Sequence, residues 1–276
     1  MTERAGSDAA RADMLAGAPR RLPRHEWLKG LGLRLALYLS LPAFLLFWQL
    51  VSTSGRVNRI LTPAPTDVFA AIVRSIRDGT LLLDVGWSVS RVIVGYVIGA
   101  VLGIVTGLLT ARFKLFDNLL SPTLQTLRPI PQIAVVPLTI IWFGLTEGAK
   151  YFLIAWGVFF VVWIATYMGV NRINPLLIRA AQSLGVPEKR MLREVIFPGA
   201  LPYIAVGLRT SVTIAFYSLV AAEVAGAFAG IAYRVNVSHQ NMQTSLMIGS
   251  LLALGLVSAA ADYVFNAAAR RIVFWH

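Results

Sequence analysis

Residues 178–202 read IRAAQSLGVPEKRMLREVIFPGALP and form a polar, charged island between two long apolar runs. The pattern predicts a short amphipathic helix over residues 175–184, a break at Gly185–Val186–Pro187, and a second helix over residues 188–197. A turn is expected at Pro198–Gly199, because proline and glycine interrupt regular structure. A structured polar loop between apolar runs indicates a surface that meets a partner protein.

The composition indicates a membrane protein. Hydrophobic residues make up 57% of the chain and charged residues only 14%, whereas a soluble domain is about a quarter charged. The net charge of +12 fits either a nucleic-acid binder or a membrane protein with basic cytoplasmic loops. The apolar content favours the second class, so no nucleic-acid partner is expected.

Six apolar stretches are long enough to cross a bilayer, which takes about 20 residues. They are 33–52, 84–111, 117–144, 149–170, 200–228 and 244–268. The third stretch is the weakest, because four prolines interrupt it and prolines kink or break helices. We therefore expect an all-α polytopic membrane protein, with a transmembrane domain over residues 31–276 and a disordered cytoplasmic tail over residues 1–30.

The distribution of basic residues predicts that both termini are cytoplasmic. With six spans, 17 of the 25 Lys and Arg residues fall on the side of the termini and six on the opposite side. Cytoplasmic loops carry the excess of Lys and Arg, which places the loop 171–199 in the cytoplasm. On the outer side, the pattern over residues 67–78 predicts a short amphipathic helix that lies against the membrane surface.

Four glycines lie four residues apart on the second predicted span. They are Gly95, Gly99, Gly103 and Gly107. This spacing repeats one face of a helix, and glycine lets a second helix backbone approach closely. We expect a packing face, with a general enrichment of glycine in membrane helices as the alternative. The pattern does not identify the partner helix.

Four ionisable residues lie within or near the ends of predicted spans, namely Arg91, Arg128, Glu223 and Asp262. Placing a charge within a membrane costs free energy, so such side chains tend to face the protein interior or a water-filled pathway. We expect a polar route to be lined or gated by Arg128, Pro129, Pro131, Gln132 and Glu223. A buried structural ion pair is the alternative. For Arg91 and Asp262, a side chain that reaches to the membrane surface is equally compatible with the sequence.

The sequence holds none of the common patterns for catalysis. It has no HExxH, GxxxxGK[ST] or GxSxG motif and no cysteine, which argues against a zinc protease, a P-loop ATPase and a serine hydrolase. We expect no catalytic residue, no metal site and no cofactor bound by this chain. A conduit is favoured over an enzyme.

The island resembles the EAA loop of ATP-binding-cassette importer permeases. AAQSLG at 180–185, followed by Ile196-Phe-Pro-Gly-Ala-Leu-Pro202, matches that motif in order and spacing. Four further stretches resemble the branch that handles nitrate, sulfonates and taurine. They are LTPAPTDV (61–68), SVSRVIVGYVIGAVLGIVTGLL (88–109), LRPIPQIAVVPLTIIWFGLTEGAK (127–150) and GLRTSVTIAFYSLVAAEVAG (207–226).

This resemblance implies a six-span type I importer permease in a bacterial inner membrane, paired with a second permease copy. Two cytoplasmic ATPase subunits, which bind ATP and Mg, would dock on it, and an extracytoplasmic binding protein would deliver a small anion. In the family, the EAA loop supplies the coupling helix that contacts the ATPase. The residues at the matching positions are Arg179, Ala180, Ala181, Gln182, Ser183, Leu184, Gly185 and Val186. Because Arg179 stands where the motif has an acidic residue, the family's salt bridge is not expected here.

The sequence leaves two alternatives open, one for the class of transporter and one for its cargo. One is a stand-alone secondary transporter or channel, a class that often shows internal repeats and charges along an ion path. No clear internal repeat is seen. The other concerns the cargo, since relatives in this branch also carry aromatic carboxylates and pyrimidines.

Overall fold

The structure, a computed structural model, describes the backbone of residues 24–272 and the side chains of residues 39–269. Its described residues form helices joined by short loops, and no strand occurs among them. The chain divides into two units, Met1–Arg56 and Val57–His276.

The first unit contains one described helix, α1, which spans Arg24–Thr53 and includes Pro42. The first predicted span, 33–52, lies within α1. Most of the predicted tail, 1–30, lies outside the described residues, and its end from Arg24 onward is helical.

The second unit holds the remaining helices. They are α2 Pro65–Arg77, α3 Thr80–Arg112, α4 Lys114–Leu127, α5 Gln132–Phe143, α6 Glu147–Asn171, α7 Pro175–Ser183, α8 Glu188–Met191, a π-helical turn Leu192–Ile196, α9 Phe197–Gly226, α10 Ile231–Gln240 and α11 Thr244–Ile272. The predicted outer helix over residues 67–78 corresponds to α2, which buries Val68 and Ala71 on one face.

Four helical stretches of the described chain are long and apolar enough to cross a membrane, and α4 with α5 adds a fifth if the bent pair is one span. The four are Thr80–Arg112, Glu147–Asn171, Glu188–Gly226 and Thr244–Ala269. The remaining predicted span, 33–52, lies in α1, whose side chains are described only from Leu39. The count of six therefore stays a prediction.

The glycine face of α3 packs against α6. A Cβ atom added to Gly95 would lie 2.6 Å from Cβ of Ile154, and one added to Gly107 would lie 2.6 Å from Cβ of Thr166. The numbers rise together along both helices, so α3 and α6 run parallel. Since no Cβ fits at these distances, the glycines set the close approach of the two backbones.

The third predicted span, 117–144, is not one continuous helix. It consists of α4 and α5, which are bent by 106° at a break. Pro129 and Pro131 explain the break, because each lacks an N–H and disfavours helical geometry in the residue before it. The parallel arrangement of α3 and α6 requires residues 113–146 to return the chain from the end of α3 to the start of α6. The bent pair is therefore a broken crossing rather than a loop that returns to its own side.

The turn predicted at Pro198–Gly199 is wrong, because the helix continues through both residues. Pro198 has no N–H to donate to the carbonyl of Glu194, and its ring crowds that carbonyl. The backbone widens into the π-helical turn just before it, a local adjustment that keeps the helix intact. The second helix of the island thus runs without a turn into α9.

Candidate functional site

A cluster of buried charges lies where the start of α3, the start of α6 and the end of α9 meet. Arg91 is its centre and is only 2% exposed. Its Nε and Nη2 atoms donate to the two carboxylate oxygens of Glu147 at 2.7 and 2.8 Å. Its Nη1 atom donates to Glu223 at 2.9 Å and to the carbonyl of Ala229 at 2.5 Å. The guanidinium also lies over the ring of Trp87, 5.4 Å from the ring centroid.

Glu223 is fully enclosed, with an exposed fraction of 0%. Besides the bond from Arg91, its carboxylate accepts a hydrogen bond from the Ser88 hydroxyl at 2.7 Å and from the backbone N–H of Ala232 at 2.9 Å. The Ser88 oxygen in turn accepts from the N–H of Ile231 at 2.9 Å. Glu223 and Ser88 thereby satisfy the first N–H groups of α10, where a negative charge also suits the helix dipole.

Two further ion pairs complete the charge balance of the cluster. Asp84 accepts from the N–H of Gly230 at 3.0 Å and pairs with Arg234 of α10. Lys150 donates to Glu147 at 3.0 Å. Three acidic and three basic groups therefore meet in one cluster, and each has an opposite charge in contact. A balanced, hydrogen-bonded set is the arrangement in which buried charges are tolerated.

Of the two positions that the sequence leaves open for Arg91, the structure shows the interior one. The side chain does not reach to the membrane surface, because it is enclosed between α3, α6 and α9. Asp262 is half-buried and accepts a hydrogen bond from Asn266 at 2.8 Å, one turn further along α11.

The break between α4 and α5 lies at mid-depth of the bundle. The Nε2 atom of Gln132 lies 2.7 Å from the position of a Cβ added to Gly157, near the middle of α6. Arg128 is exposed and, together with Gln132, lines a groove of about 330 Å³. On the other side of Gln132, a second groove of about 460 Å³ lies along α5 and α9 and includes Pro131 and Tyr217. The polar groups at the break therefore face two open, largely apolar grooves.

The structure does not bring Arg128 and Glu223 together, which corrects the prediction that both line one polar route. Arg128 faces the groove at the break, whereas Glu223 is enclosed and lines neither groove. The geometry of Glu223 is that of a buried structural ion pair, and its partner is Arg91. Pro129 is exposed beside Arg128 in the break itself.

The predicted coupling segment has a well-defined helix end. The N–H of Val186 donates to the carbonyl of Ala181 at 3.1 Å, and the N–H of Gly185 donates to that of Gln182 at 3.0 Å. These two bonds form a Schellman motif, which requires a left-handed residue after the helix. Gly185 supplies it with φ of +70°. The turn after α7 is therefore fixed by glycine.

The eight residues of this segment do not share one surface. Ala181 is buried against the bundle, which leaves it little surface for a contact with a partner, and Val186 is half-buried beside it. The other members are exposed, and Leu184 has 82% of its surface open. The exposed set consists of Arg179, Ala180, Gln182, Ser183, Leu184 and Gly185.

A bidentate ion pair ties this segment to α3. Arg112, the last residue of α3, donates to the carboxylate of Glu188 at 2.5 and 2.9 Å. Glu188 is the first residue of α8, directly after the turn at Gly185 and Pro187. The ion pair thus links the far end of α3 to the exposed loop.

The family model described as "Binding-protein-dependent transport system inner membrane component" matches residues 95–274, well over half of the chain. This chain belongs to that family. The permease is 33% identical over 264 residues to a Bacillus subtilis protein named as an aliphatic sulfonates transport permease, covering 94% of this chain and 93% of the relative. It is 32% identical over 256 residues to a riboflavin transport system permease of Chloroflexus aurantiacus, covering 93% of this chain and 94% of the relative.

A solved structure supports the fold of the permease. A chain of the methionine ABC transporter MetNI, in an inward-facing conformation, aligns with a TM-score of 0.59 at 20% identity. The alignment covers 70% of this permease and 96% of that chain. The fold is therefore that of the type I ABC importer permeases, as the resemblance of the island implies.

Sequence reasoning missed four members of the charge cluster, namely Asp84, Glu147, Lys150 and Arg234. Each lies at or just beyond the end of a predicted span, where a charge is ordinary. The signal that could have found them is the balance of acidic and basic residues near these span ends. A survey of charges inside the spans overlooks it. Glu188, the partner of Arg112, lies within the predicted loop 171–199, where a charge is also ordinary.

Proposed function

We propose that the permease forms the translocation path of an ATP-driven importer and receives a small anion of the sulfonate type from an external binding protein. The observation that carries this proposal is the exposed helix α7 with its glycine-fixed turn, in a chain of the binding-protein-dependent family. An exposed, preorganised helix between two long spans is suited to docking a partner. The permease itself would hydrolyse nothing, and ATP and Mg would bind to the partner subunits.

The proposed assembly contains a second permease copy, two cytoplasmic ATPase subunits and the binding protein. A row of apolar side chains is exposed along α5 and α9. It includes Ile133, Ile141, Tyr217 and Val224. Such a surface is suited to contact with a second permease subunit or with lipid. The excess of basic residues on one side supports cytoplasmic termini and a cytoplasmic α7. A homodimer is the simplest arrangement of this kind.

The proposed docking surface is the exposed part of the coupling segment together with Leu176 and Leu177 of α7. Leu176, Leu177 and Leu184 expose 67%, 58% and 82% of their surfaces, and large exposed leucines on one short helix mark a contact surface. Arg179 adds a positive charge where the related motif has an acid. We expect Arg179 to meet an acidic group of the ATPase or a lipid headgroup.

The docking proposal is tested by copurification of the permease with its ATPase. Leu184→Asp is expected to reduce the amount of ATPase retained, because it places a charge in an apolar contact. Leu115→Asp, at an equally exposed leucine of α4 (75% exposed), serves as the control and should retain it. Retention of the ATPase by Leu184→Asp at the wild-type level would contradict the proposed surface.

The break between α4 and α5, with the two grooves beside it, is the proposed path of the cargo. Arg128, Pro129, Pro131 and Gln132 lie at this break at mid-depth, where discontinuous helices of transporters commonly hold the substrate. The exposed guanidinium of Arg128 favours an anion over an uncharged solute such as riboflavin. Because the relatives differ in the cargo that their names give, this charge is the reason for preferring a sulfonate, taurine or nitrate.

The cargo is tested by ATPase activity of the reconstituted complex with its binding protein across a panel of solutes. The panel contains taurine, alkanesulfonates, nitrate, an aromatic carboxylate, a pyrimidine and riboflavin. Stimulation by the small anions alone is the expected result. Stimulation by riboflavin or a pyrimidine in preference to them would overturn the assignment of an anionic cargo.

A further inference from the structure

A second polar groove lies outside the proposed path, between α2 and the start of α11. It has a volume of about 450 Å³. Its polar lining comes from Arg59, Arg74, Ser75, Asp78, Gln243, Thr244 and Ser245. None of these residues lines either groove at the break between α4 and α5.

The positive charges of this groove are not neutralised by ion pairs. Neither Arg59 nor Arg74 forms a salt bridge with any residue that the structure describes. Arg74 makes only a hydrogen bond from Nε to the carbonyl of Ala70, at 3.3 Å. Asp78 is the one acidic group in the lining. Two arginines against one carboxylate leave a net positive groove.

A hydroxyl without a hydrogen-bond partner among the described residues also faces the groove. Ser75 is only 8% exposed, lines the groove, and its hydroxyl makes no hydrogen bond within the described part of the chain. Because this oxygen is not sealed from solvent, the hydroxyl can donate to or accept from a molecule in the groove. This group therefore points to a polar occupant of the groove.

The first turn of α11 adds backbone donors to the same lining. The N–H of Met247 donates to the carbonyl of Gln243, but those of Ser245 and Leu246 have no backbone acceptor among the described residues. Free N–H groups and the dipole of a long helix favour an anion at this end.

The walls of the groove are held at a fixed separation. A Cβ atom added to Gly249 of α11 would lie 2.8 Å from Cγ1 of Ile72 on α2. Val68 and Ala71 of α2 are buried on the same side. This close contact keeps Arg74 of α2 and the start of α11 in register.

We propose that this groove binds a tetrahedral oxyanion, with Arg59 and Arg74 as charge partners and Ser75 and the first turn of α11 as donors. Guanidinium groups with hydroxyl and N–H donors are the usual partners of phosphate and sulfonate oxygens. Two sources supply this chemistry, the phosphate of an anionic phospholipid and a free oxyanion. Phe69 and Ile76 of α2 are exposed beside the groove, which suits an interfacial helix next to lipid.

The test compares purified, delipidated permease complex with two variants. One is the double variant Arg59→Gln/Arg74→Gln. The other, Arg77→Gln, removes an exposed charge of the same helix that does not line the groove. Binding is measured in two arms, by native mass spectrometry with phosphatidylglycerol against phosphatidylcholine, and by thermal shift with inorganic phosphate and methanesulfonate against chloride at equal ionic strength.

The expected result is preferential binding of at least one probe, weakened about tenfold or more in the double variant, since each lost charge-assisted bond costs that order of affinity. Arg77→Gln should bind as wild type does. Binding of phosphatidylglycerol alone identifies a lipid site, and binding of the free anions identifies a soluble ligand. Absence of preferential binding in both arms, or equal losses in the double variant and in Arg77→Gln, would overturn the proposal.

Discussion

Arg91 and Glu223 form a buried ion pair between α3 and α9, with 2.9 Å between Nη1 and Oε1. The two residues are 2% and 0% exposed, respectively. Because the same guanidinium holds Glu147 of α6, one side chain connects three helices. The carboxylate of Glu223 also accepts a hydrogen bond from the N–H of Ala232 in the first turn of α10. These parts of α3, α6, α9 and α10 are thereby joined into one unit.

Removing the guanidinium should destabilise the permease strongly. Arg91→Gln leaves the carboxylate of Glu223 buried without a charge partner, and breaking a buried pair in this way costs about 3–5 kcal/mol. We expect a large fall in the thermal unfolding midpoint of the detergent-purified protein. The matched control is Arg190→Gln, which breaks the exposed pair of Arg190 and Glu194 and should cost about 1 kcal/mol or less. Equal midpoints for the two variants would show that the buried pair does not hold the helices.

Alanine should not be tolerated at the glycines of α3 that lie closest to α6. A Cβ atom at Gly99 would lie 2.6 Å from the backbone oxygen of Ala155, which cannot move aside without moving α6. Gly99→Ala is therefore expected to cost about 1–3 kcal/mol, as overpacking does. Gly86→Ala, on the same helix with no atom within 4 Å, should be neutral or stabilising. The comparison is made by thermal unfolding, and a neutral Gly99→Ala would refute the close packing.

The ion pair of Arg112 and Glu188 should matter more for coupling than for stability. Its side chains are 22% and 46% exposed, so its contribution to folding is expected to be about 1 kcal/mol or less. It nevertheless joins the end of α3 to the helix that follows the docking loop. Arg112→Gln should lower substrate-stimulated ATPase activity of the complex while the unfolding midpoint changes little.

Charge reversal at both positions provides the control for this coupling. Arg112→Glu combined with Glu188→Arg restores the pair with opposite polarity and should recover most of the stimulated activity. If the double variant is as impaired as Arg112→Gln, the link acts through something other than the ion pair.

The charge at the break should govern transport of an anion. Arg128→Gln removes an exposed guanidinium from the groove, and we expect about a tenfold loss of uptake at low substrate concentration, which corresponds to one charge-assisted hydrogen bond. Arg128→Lys keeps the charge but not the planar fork, so it should retain part of the uptake. Initial rates in proteoliposomes measure both. Wild-type uptake by Arg128→Gln would exclude Arg128 from the path.

Local and periodic features of the fold could be predicted from the sequence. The four-residue glycine spacing indicates a packing face, and the prolines before Gln132 indicate a weak span, because both effects depend on neighbours along one helix. The turn predicted at Pro198–Gly199 does not form, because a widened helical turn accommodates the missing N–H of proline. A local turn signal was thus overridden by the continuity of a long membrane helix.

The pairing of charges could not be predicted in the same way. Arg91 and Glu223 are 132 residues apart, and their meeting depends on how α3, α6 and α9 are packed. From the sequence, Arg128 and Glu223 share only the property of lying inside predicted spans. The helix over residues 175–184 and the break at Gly185 were predicted correctly, but the burial of Ala181 depends on which face α7 turns to the bundle.

The central claim, that this permease imports its cargo only with ATP hydrolysis by a partner, is tested most directly by uptake into proteoliposomes. The vesicles hold the permease with its ATPase, and the binding protein and radiolabelled alkanesulfonate are added outside. We predict uptake with ATP inside, and none when ATP is replaced by a non-hydrolysable analogue or the binding protein is left out. Uptake that proceeds without ATP, driven by an ion gradient or by the substrate gradient alone, would contradict the account and indicate a stand-alone transporter or channel.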